Sequence, residues 1–252
     1  MEKHNLKRLD IKHVLIKILL LSAIIVTLFF YFKILLIRGI EFDGTFLKKE
    51  IISSSEIKYS GISAYGDINI TIKALKDKSV ANVIYELPNN LYEEYSVEFG
   101  NDTETYADSG VIIKKDDKVI FEGDYIRKGL FLIYKDGTPY YEEDAILQVR
   151  TGGTSPYNSN YKISLKNVAD LAGSANETIW GRIEFLIFAL VLFGVTAFDK
   201  KYPLFFFSLK HFVDVTNPEP SDIYLFFQKA TWYIYPIIGA ILMLYSIIWR
   251  FL

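Results

Sequence analysis

The apolar stretch over residues 18–37, ILLLSAIIVTLFFYFKILLI, constrains the fold of this chain more than any other feature. It has 20 residues and one charge, Lys33. A helix rises 1.5 Å per residue, so a helix of this length spans about 30 Å, which is the thickness of the hydrocarbon core of a bilayer. The sequence therefore predicts a membrane-spanning helix here, and every other segment is placed on one side of it.

The segment before this stretch, residues 1–17, is basic, with five Lys or Arg residues against two acidic ones. A basic segment before an apolar run also begins a cleaved signal peptide. This run, however, is longer than the usual apolar core of a signal peptide, and no small-x-small cleavage site follows it. We interpret residues 18–37 as an uncleaved signal anchor behind a cytoplasmic tail.

Two further apolar blocks, at residues 179–198 and 231–251, predict a second and a third transmembrane helix. The loop between them, residues 199–230, contains the run PLFFFSLKHFVDV at 203–215. This run is too short and too charged to span a bilayer, so we interpret it as an amphipathic helix lying at the membrane interface. Pro236 in the third block is expected to kink that helix or tighten its first turns.

The distribution of basic residues predicts the orientation of the spans. Residues 1–17 and 199–230 carry nine Lys or Arg residues, whereas the opposite ends of the spans carry four. Basic residues concentrate on the cytoplasmic side of membrane proteins. The pattern predicts a multi-pass plasma-membrane protein with the amino terminus inside and the carboxyl terminus outside, and the richness in Lys, Ile and Asn is typical of a bacterial chain.

The segment over residues 38–178 is predicted to form an extracytoplasmic, mainly-β domain with an antiparallel, sandwich-like fold. Two hairpins are indicated: residues 110–123 flank Asp116-Asp117, and residues 129–143 carry Asp136-Gly137, a pair that suits a type I′ turn. Short strands at this spacing are typical of antiparallel sandwiches and barrel-like sheets. The other predicted strands are residues 51–57, 68–74, 83–87, 95–99, 146–150 and 161–165. A short helix over residues 76–87 is an alternative.

The composition limits the chemistry that this domain can perform. The chain has no Cys, and residues 38–178 contain no His. Ser-His-Asp and Cys-His catalysis and His- or Cys-based zinc sites are therefore excluded from the domain. We predict no catalytic residue, no metal and no cofactor.

The charge is unevenly distributed along the chain. Residues 39–178 carry 15 basic and 23 acidic residues, a net charge of −8, whereas the flanking segments carry +6. An acidic middle argues against nucleic-acid binding, which needs a basic surface. Basic flanks fit contact with anionic lipid head groups. The expected partners are the lipid bilayer and a protein.

The densest acidic cluster is Glu142, Glu143 and Asp144, which follows Tyr140 and Tyr141. These five residues are the candidate binding patch of the outer domain, because tyrosine is favoured on contact surfaces. The carboxylates could also bind Ca²⁺ or supply a glycosidase-like pair. Acidic turn residues on a solvated sheet edge explain them as well. The twelve tyrosines of the domain equally suit half-buried strand faces.

The segment over residues 217–248 carries a motif, Glu219, Pro220, Ser221 and Tyr224, just before the last apolar block. It resembles the carboxyl-terminal segment of uncharacterised small bacterial membrane proteins. In those proteins a Glu-Pro-Ser motif precedes a Tyr- or Leu-containing helix that runs into the last span. The resemblance implies that this hairpin is a module in its own right and that the outer domain is the variable part. It implies no known activity.

These patterns together predict an integral membrane protein that presents a non-enzymatic binding domain outside the cell. The domain would bind a partner protein or an envelope component, or the chain would be an accessory subunit of a membrane complex. One alternative is an immunity protein that binds an exported toxin, and another is a carboxylate-dependent envelope hydrolase. Transport is disfavoured, because three spans lack the repeats and paired charges of a translocation path.

Overall fold

A computed structural model of the chain describes residues 2–74, 80–100, 108–127, 129–141, 155–211 and 219–251. The chain divides into two compact units. One is the β unit, residues 38–179. The other is the helical unit, residues 1–37 and 180–252.

The β unit contains ten strands and one α-helix in its described residues. The strands are β1 (Arg38–Phe42), β2 (Thr45–Ile51), β3 (Glu56–Ser63), β4 (Gly66–Ala74), β5 (Val80–Leu87), β6 (Leu91–Phe99), β7 (Asp108–Lys115), β8 (Lys118–Ile126), β9 (Leu132–Tyr134) and β10 (Thr178–Ile179). A short 3₁₀ turn, Pro88–Asn90, joins β5 to β6. The helix α2 spans Leu165–Ala172; the number α1 belongs to the first helix of the helical unit.

The strands form one antiparallel sheet rather than two packed sheets. Its order is β10-β1-β2-β3-β4-β5-β6-β7-β8-β9, so β1 to β9 lie side by side in chain order. The last strand returns to the start of the sheet, where Ile179 pairs with Arg38. The antiparallel, mainly-β prediction is confirmed. The sandwich arrangement is corrected, because the described strands belong to a single sheet.

A helix takes the place of a second sheet on the apolar face. Alternate residues of β4, Ile68, Ile70 and Ile72, are buried, as the period of two in a strand requires. On α2, Val168 and Ala169 are completely buried and pack in the same core. The sheet therefore encloses its core with α2 and needs no facing sheet.

The turn geometries differ from those expected from sequence. Asp116 and Asp117 both have positive φ, 49° and 60°, so the β7–β8 hairpin has the type I′ character that was predicted for Asp136-Gly137. At the latter pair only Gly137 has positive φ, 84°. The Gly137 amide donates a hydrogen bond to the Tyr134 carbonyl. This connection is therefore a longer loop with glycine in the left-handed position, and not a two-residue type I′ turn.

Several local predictions were wrong in detail. Residues 52–55 form the bend between β2 and β3, so residues 51–57 are not one strand. Residues 161–164 are irregular, and Leu165 begins α2. The described part of residues 76–87 is strand β5, which excludes the alternative helix there. The predicted strand at 146–150 lies outside the described residues.

The helical unit contains α1 (Glu2–Leu35), α3 (Ile183–Lys201), α4 (Phe205–His211) and α5 (Asp222–Ile248). Two described helical segments are long and apolar enough to cross a membrane, Lys12–Leu35 and Asp222–Ile248. Their apolar side chains are mostly exposed. These two helices, near the ends of the chain, indicate association with a membrane.

The bounds of the later helices differ from the predicted ones. Ile179 belongs to β10, so the helix predicted from residue 179 begins at Ile183 and continues to Lys201. The last helix begins at Asp222, nine residues before the predicted span, and runs through Pro236 without ending. The helix predicted at the interface, α4, is only seven residues long.

Specific contacts join the helices of this unit. The Tyr31 hydroxyl on α1 and the Ser246 hydroxyl on α5 share a buried hydrogen bond of 2.7 Å. The Trp180 indole donates to the Ile247 carbonyl over 2.8 Å. At Gly239 on α5, an added Cβ would lie 3.0 Å from the Phe193 ring of α3, so glycine permits the close approach of these two helices.

Candidate functional site

Three tyrosines of the sheet hold the α2 region in place through their hydroxyls. Tyr85 donates to Asn167 Oδ1 over 3.0 Å, and Tyr125 donates to Asp170 Oδ1 over 2.8 Å. Tyr59 donates to Glu177 Oε1 over 3.0 Å, just before β10. The rings of all three tyrosines are completely buried. These three tyrosines therefore have a structural role on strand faces, as predicted, but their rings are completely buried and not half-buried.

Burial raises the pKa of each of these hydroxyls above its ordinary value. For Tyr59 and Tyr125, desolvation is the largest cause, and the adjacent carboxylates, Glu177 and Asp170, add to it. The pKa of Tyr85 is also raised, chiefly by its complete burial. The three hydroxyls therefore stay protonated and serve as donors throughout the physiological range.

Asp170 itself is a buried carboxylate whose charge is compensated. Lys166, one turn earlier on α2, forms an ion pair with it. The Asn176 amide donates to its second oxygen over 2.8 Å. With the Tyr125 hydroxyl, the carboxylate thus has three donors, of which one is cationic, as a buried charge requires.

The candidate binding patch falls partly within the described residues. Tyr140 is half-buried and packs against Phe121 and Tyr134, whose ring centroids lie 5.1 and 5.6 Å away. Tyr141 is 65% exposed, and its ring lies 5.2 Å from that of Phe131. Tyr140 therefore belongs to the packing of the sheet, whereas Tyr141 is accessible. The acidic members, Glu142, Glu143 and Asp144, lie outside the described residues.

The described part of this region is an exposed apolar surface that we call the aromatic edge. It consists of the exposed side chains in and beside β9, which are Leu130, Phe131, Tyr134 and Tyr141, and the rings of Phe131 and Tyr141 contact each other. Leu130 is 83% exposed. Large apolar side chains that cluster on a surface mark contact sites more often than isolated ones do.

The Glu-Pro-Ser motif begins α5. Ser221 is the N-cap residue, and its hydroxyl accepts from the Tyr224 amide over 3.3 Å. Pro220 and Glu219 precede the cap, and the Tyr224 ring lies 5.0 Å from that of Phe207 on α4. The motif thus has a local role, because an N-cap serine satisfies an amide that the helix leaves without a partner.

A second site, which the sequence patterns did not indicate, lies between α3 and α5. Asp199 in the last turn of α3 is only 7% exposed. One carboxylate oxygen accepts from Gln228 Nε2 over 2.9 Å, and the other accepts from Trp232 Nε1 over 2.5 Å. Gln228 is also buried. Asp199 therefore lies in a pocket whose two hydrogen-bond donors are both neutral.

This carboxylate borders a cavity of about 360 Å³. Its lining is mainly aromatic and aliphatic, with a few polar groups. The lining residues are Val195, Thr196, Asp199, Phe206, Tyr224, Phe227, Gln228, Thr231, Trp232 and Tyr235. An apolar cavity with a few convergent polar groups is the usual form of a small-molecule site.

One signal in the sequence could have indicated Asp199 and Gln228. Both are polar residues placed in or beside long apolar segments, where such residues are costly and often functional. The 29-residue separation between them hides their pairing. Among the predicted site residues that the structure describes, only Tyr224 lines this cavity.

No family model matches this chain, and neither a curated protein nor a solved structure matches it.

Proposed function

We propose that this chain is an integral membrane protein that presents the β unit outside the cell as a binding domain for a protein partner. In this proposal α1, α3 and α5 are three membrane spans. The amino terminus is cytoplasmic, and the carboxyl terminus lies outside. The domain binds and does not catalyse.

The side chains of α3 support its place as the second span. Ile187, Phe188 and Leu190 are exposed in the middle of this helix. Its interior hydroxyl, Thr196 Oγ1, donates to the Leu192 carbonyl over 2.8 Å, so it needs no water. Its charged residues lie at the two ends of the helix, and Lys200 and Lys201 at the carboxyl end favour the cytoplasmic side.

The aromatic edge is the single observation that carries the binding proposal. Exposed apolar residues elsewhere on the sheet include Ile51 and Ile62, whereas at the aromatic edge two exposed rings, Phe131 and Tyr141, contact each other beside Leu130. Burying such side chains is favourable by about 1.5–3 kcal/mol for a full side chain. A partner that covers the aromatic edge would gain this free energy, and aromatic anchors dominate protein interfaces.

The test is site-specific photocrosslinking of the full-length protein in living cells. A photoreactive phenylalanine analogue at Tyr141 is expected to give a discrete adduct. The adduct should disappear when Leu130→Asp and Phe131→Asp are introduced, because both changes place charge in the contact. Ile62, on β3, is 80% exposed and provides the matched control position.

The pattern of adducts decides between the outcomes. An adduct at Tyr141 that the two aspartates remove, with no adduct at Ile62, supports the binding proposal. Equal adducts at both positions, or an adduct that survives the substitutions, would show that the aromatic edge is not a specific contact. No adduct at either position would favour the accessory-subunit alternative, in which the partner contacts the helical unit.

A further inference from the structure

The buried Asp199 has no cationic partner among the described residues. Its two hydrogen bonds come from the neutral side chains of Gln228 and Trp232. The neighbouring cations point elsewhere: Lys200 Nζ lies 5.6 Å from the centre of the Tyr233 ring, and Lys201 Nζ lies 5.2 Å from that of Tyr202. A buried carboxylate is costly unless a cation compensates it. The buried carboxylate of the β unit, Asp170, does have a cationic partner, Lys166.

The cavity beside Asp199 has the lining that an organic cation requires. Rings of Tyr224, Trp232 and Tyr235 are among its walls. The face of an aromatic ring attracts a cation, and tryptophan does so most strongly. A metal ion would need several oxygen ligands, whereas the walls here are mostly apolar. The site therefore combines one carboxylate, which supplies charge, with several rings, which supply contact to alkyl groups.

We propose that the cavity between α3, α4 and α5 binds an alkylammonium group whose positive charge is compensated by Asp199. The proposal is independent of the aromatic edge and goes beyond the function proposed above. An alkylammonium group occurs both in soluble amines and in the head group of phosphatidylethanolamine. Both sources share the chemistry that the site recognises, and the experiment separates them.

Trp232 provides a direct reporter of ligand binding, because its indole donates a hydrogen bond to the Asp199 carboxylate. The chain has three tryptophans. The other two, Trp180 and Trp249, are joined to each other by a 3.2 Å hydrogen bond outside the cavity. Full-length protein labelled with 5-fluorotryptophan in nanodiscs should thus give three ¹⁹F resonances. Only that of Trp232 should respond to a ligand beside Asp199.

The titration compares tetramethylammonium chloride with sodium chloride at equal ionic strength, in nanodiscs of phosphatidylglycerol. A second arm adds phosphatidylethanolamine to the disc. We expect a saturable shift of the Trp232 resonance in at least one arm. A response to tetramethylammonium alone would assign a soluble amine as the source, and a response to phosphatidylethanolamine alone would assign the lipid head group.

Substitutions identify the group responsible. Asp199→Asn should weaken the response about tenfold or more, whereas the matched change Asp222→Asn, on the exposed first turn of α5, should leave it unaltered. Unchanged Trp180 and Trp249 resonances would show that Asp199→Asn folds. If it does not fold, Tyr224→Leu tests the aromatic wall without removing the carboxylate, with an expected weakening of about two- to fivefold.

Three results would overturn the proposal. One is the absence of a Trp232 shift in both arms. Another is an equal response in folded Asp199→Asn protein. The third is a shift that follows the length of the lipid acyl chain regardless of head group, which would make the cavity a groove for hydrocarbon.

Discussion

The two units place their apolar side chains in opposite ways. In the β unit, Ile68, Ile70 and Tyr85 are completely buried. In the helical unit, apolar residues such as Leu19 and Phe29 of α1 are about two-thirds exposed. The first arrangement is driven by removal of apolar surface from water. The second is stable only where hydrocarbon replaces water, because there helices associate through packing and hydrogen bonds instead.

The units also treat a buried carboxylate differently. Asp170 has an ion pair with Lys166 and hydrogen bonds from two neutral side chains. Asp199 has hydrogen bonds from two neutral side chains only. The first network is complete within the chain and holds α2 on the sheet. The second has no cation among the described residues, so a cationic ligand is proposed there and not in the β unit.

The largest expected effect compares matched core and lipid-facing positions. Ile70→Ala should lower the free energy of unfolding of the β unit by about 2–5 kcal/mol, because it leaves a cavity in a closed core. Ile24→Ala, on the exposed face of α1, should change the free energy of unfolding little. Urea unfolding of full-length protein in nanodiscs, followed by near-ultraviolet circular dichroism, measures both. Equal losses would contradict the contrast between the two units.

The next effect compares the two carboxylates. Asp170→Asn keeps the shape but removes the partner of Lys166, and should destabilise the β unit by about 3 kcal/mol. Asp124→Asn, at an exposed position of β8, is the control and should be close to neutral. Asp199→Asn breaks no ion pair among the described residues but keeps only one of the two acceptor oxygens, so it should destabilise the helical unit by about 1–2 kcal/mol, less than Asp170→Asn destabilises the β unit. A larger fall in the thermal midpoint of the helical unit would reveal a cation partner within the chain.

The buried tyrosines predict a loss of stability in alkali. The pKa values of Tyr59, Tyr85 and Tyr125 are raised in the folded state, chiefly by burial. Above pH 10, roughly the ordinary tyrosine pKa, the unfolded chain releases protons that the folded chain retains. Stability is therefore fully present below that pH and falls as pH rises above it.

The urea midpoint of the β unit at pH 8 and at pH 10.5 tests this linkage in the full-length protein. We expect a lower midpoint at the higher pH. An unchanged midpoint would mean that the three hydroxyls titrate alike in the folded and unfolded states.

The smallest effect concerns the start of α5. Ser221→Ala should destabilise the first turn by about 1 kcal/mol, because the Tyr224 amide loses its acceptor. Hydrogen exchange of the Tyr224 amide should become faster, whereas Ser221→Asp should preserve protection. Ser208→Ala, at an exposed position of α4, should leave that exchange rate unaltered. Faster exchange in the Asp variant as well would contradict the capping role.

Features that depend on neighbours in the sequence were largely predictable. Hydropathy alone indicated the apolar helices near both ends of the chain. The Asp116-Asp117 hairpin was located correctly, because turn residues between two β-rich runs specify a hairpin locally. The strand over 68–74 was found within β4 for the same reason. The type I′ geometry was assigned to the wrong hairpin, because Asp, although less tolerant of positive φ than Gly, adopts it at both Asp116 and Asp117.

Features that depend on distant partners were decided only by the tertiary structure. Residues 161–165 were predicted to form a strand, and the helix α2, which begins at Leu165, was not predicted. A segment as short as α2 does not distinguish a helix from a strand by its pattern alone. Tyr125 meets Asp170 across 45 residues, and Gln228 meets Asp199 across 29. The sequence determined which segments prefer water or hydrocarbon, through the free energy of burying each side chain. Folding alone determined which polar groups meet, because those contacts join residues that no local pattern relates.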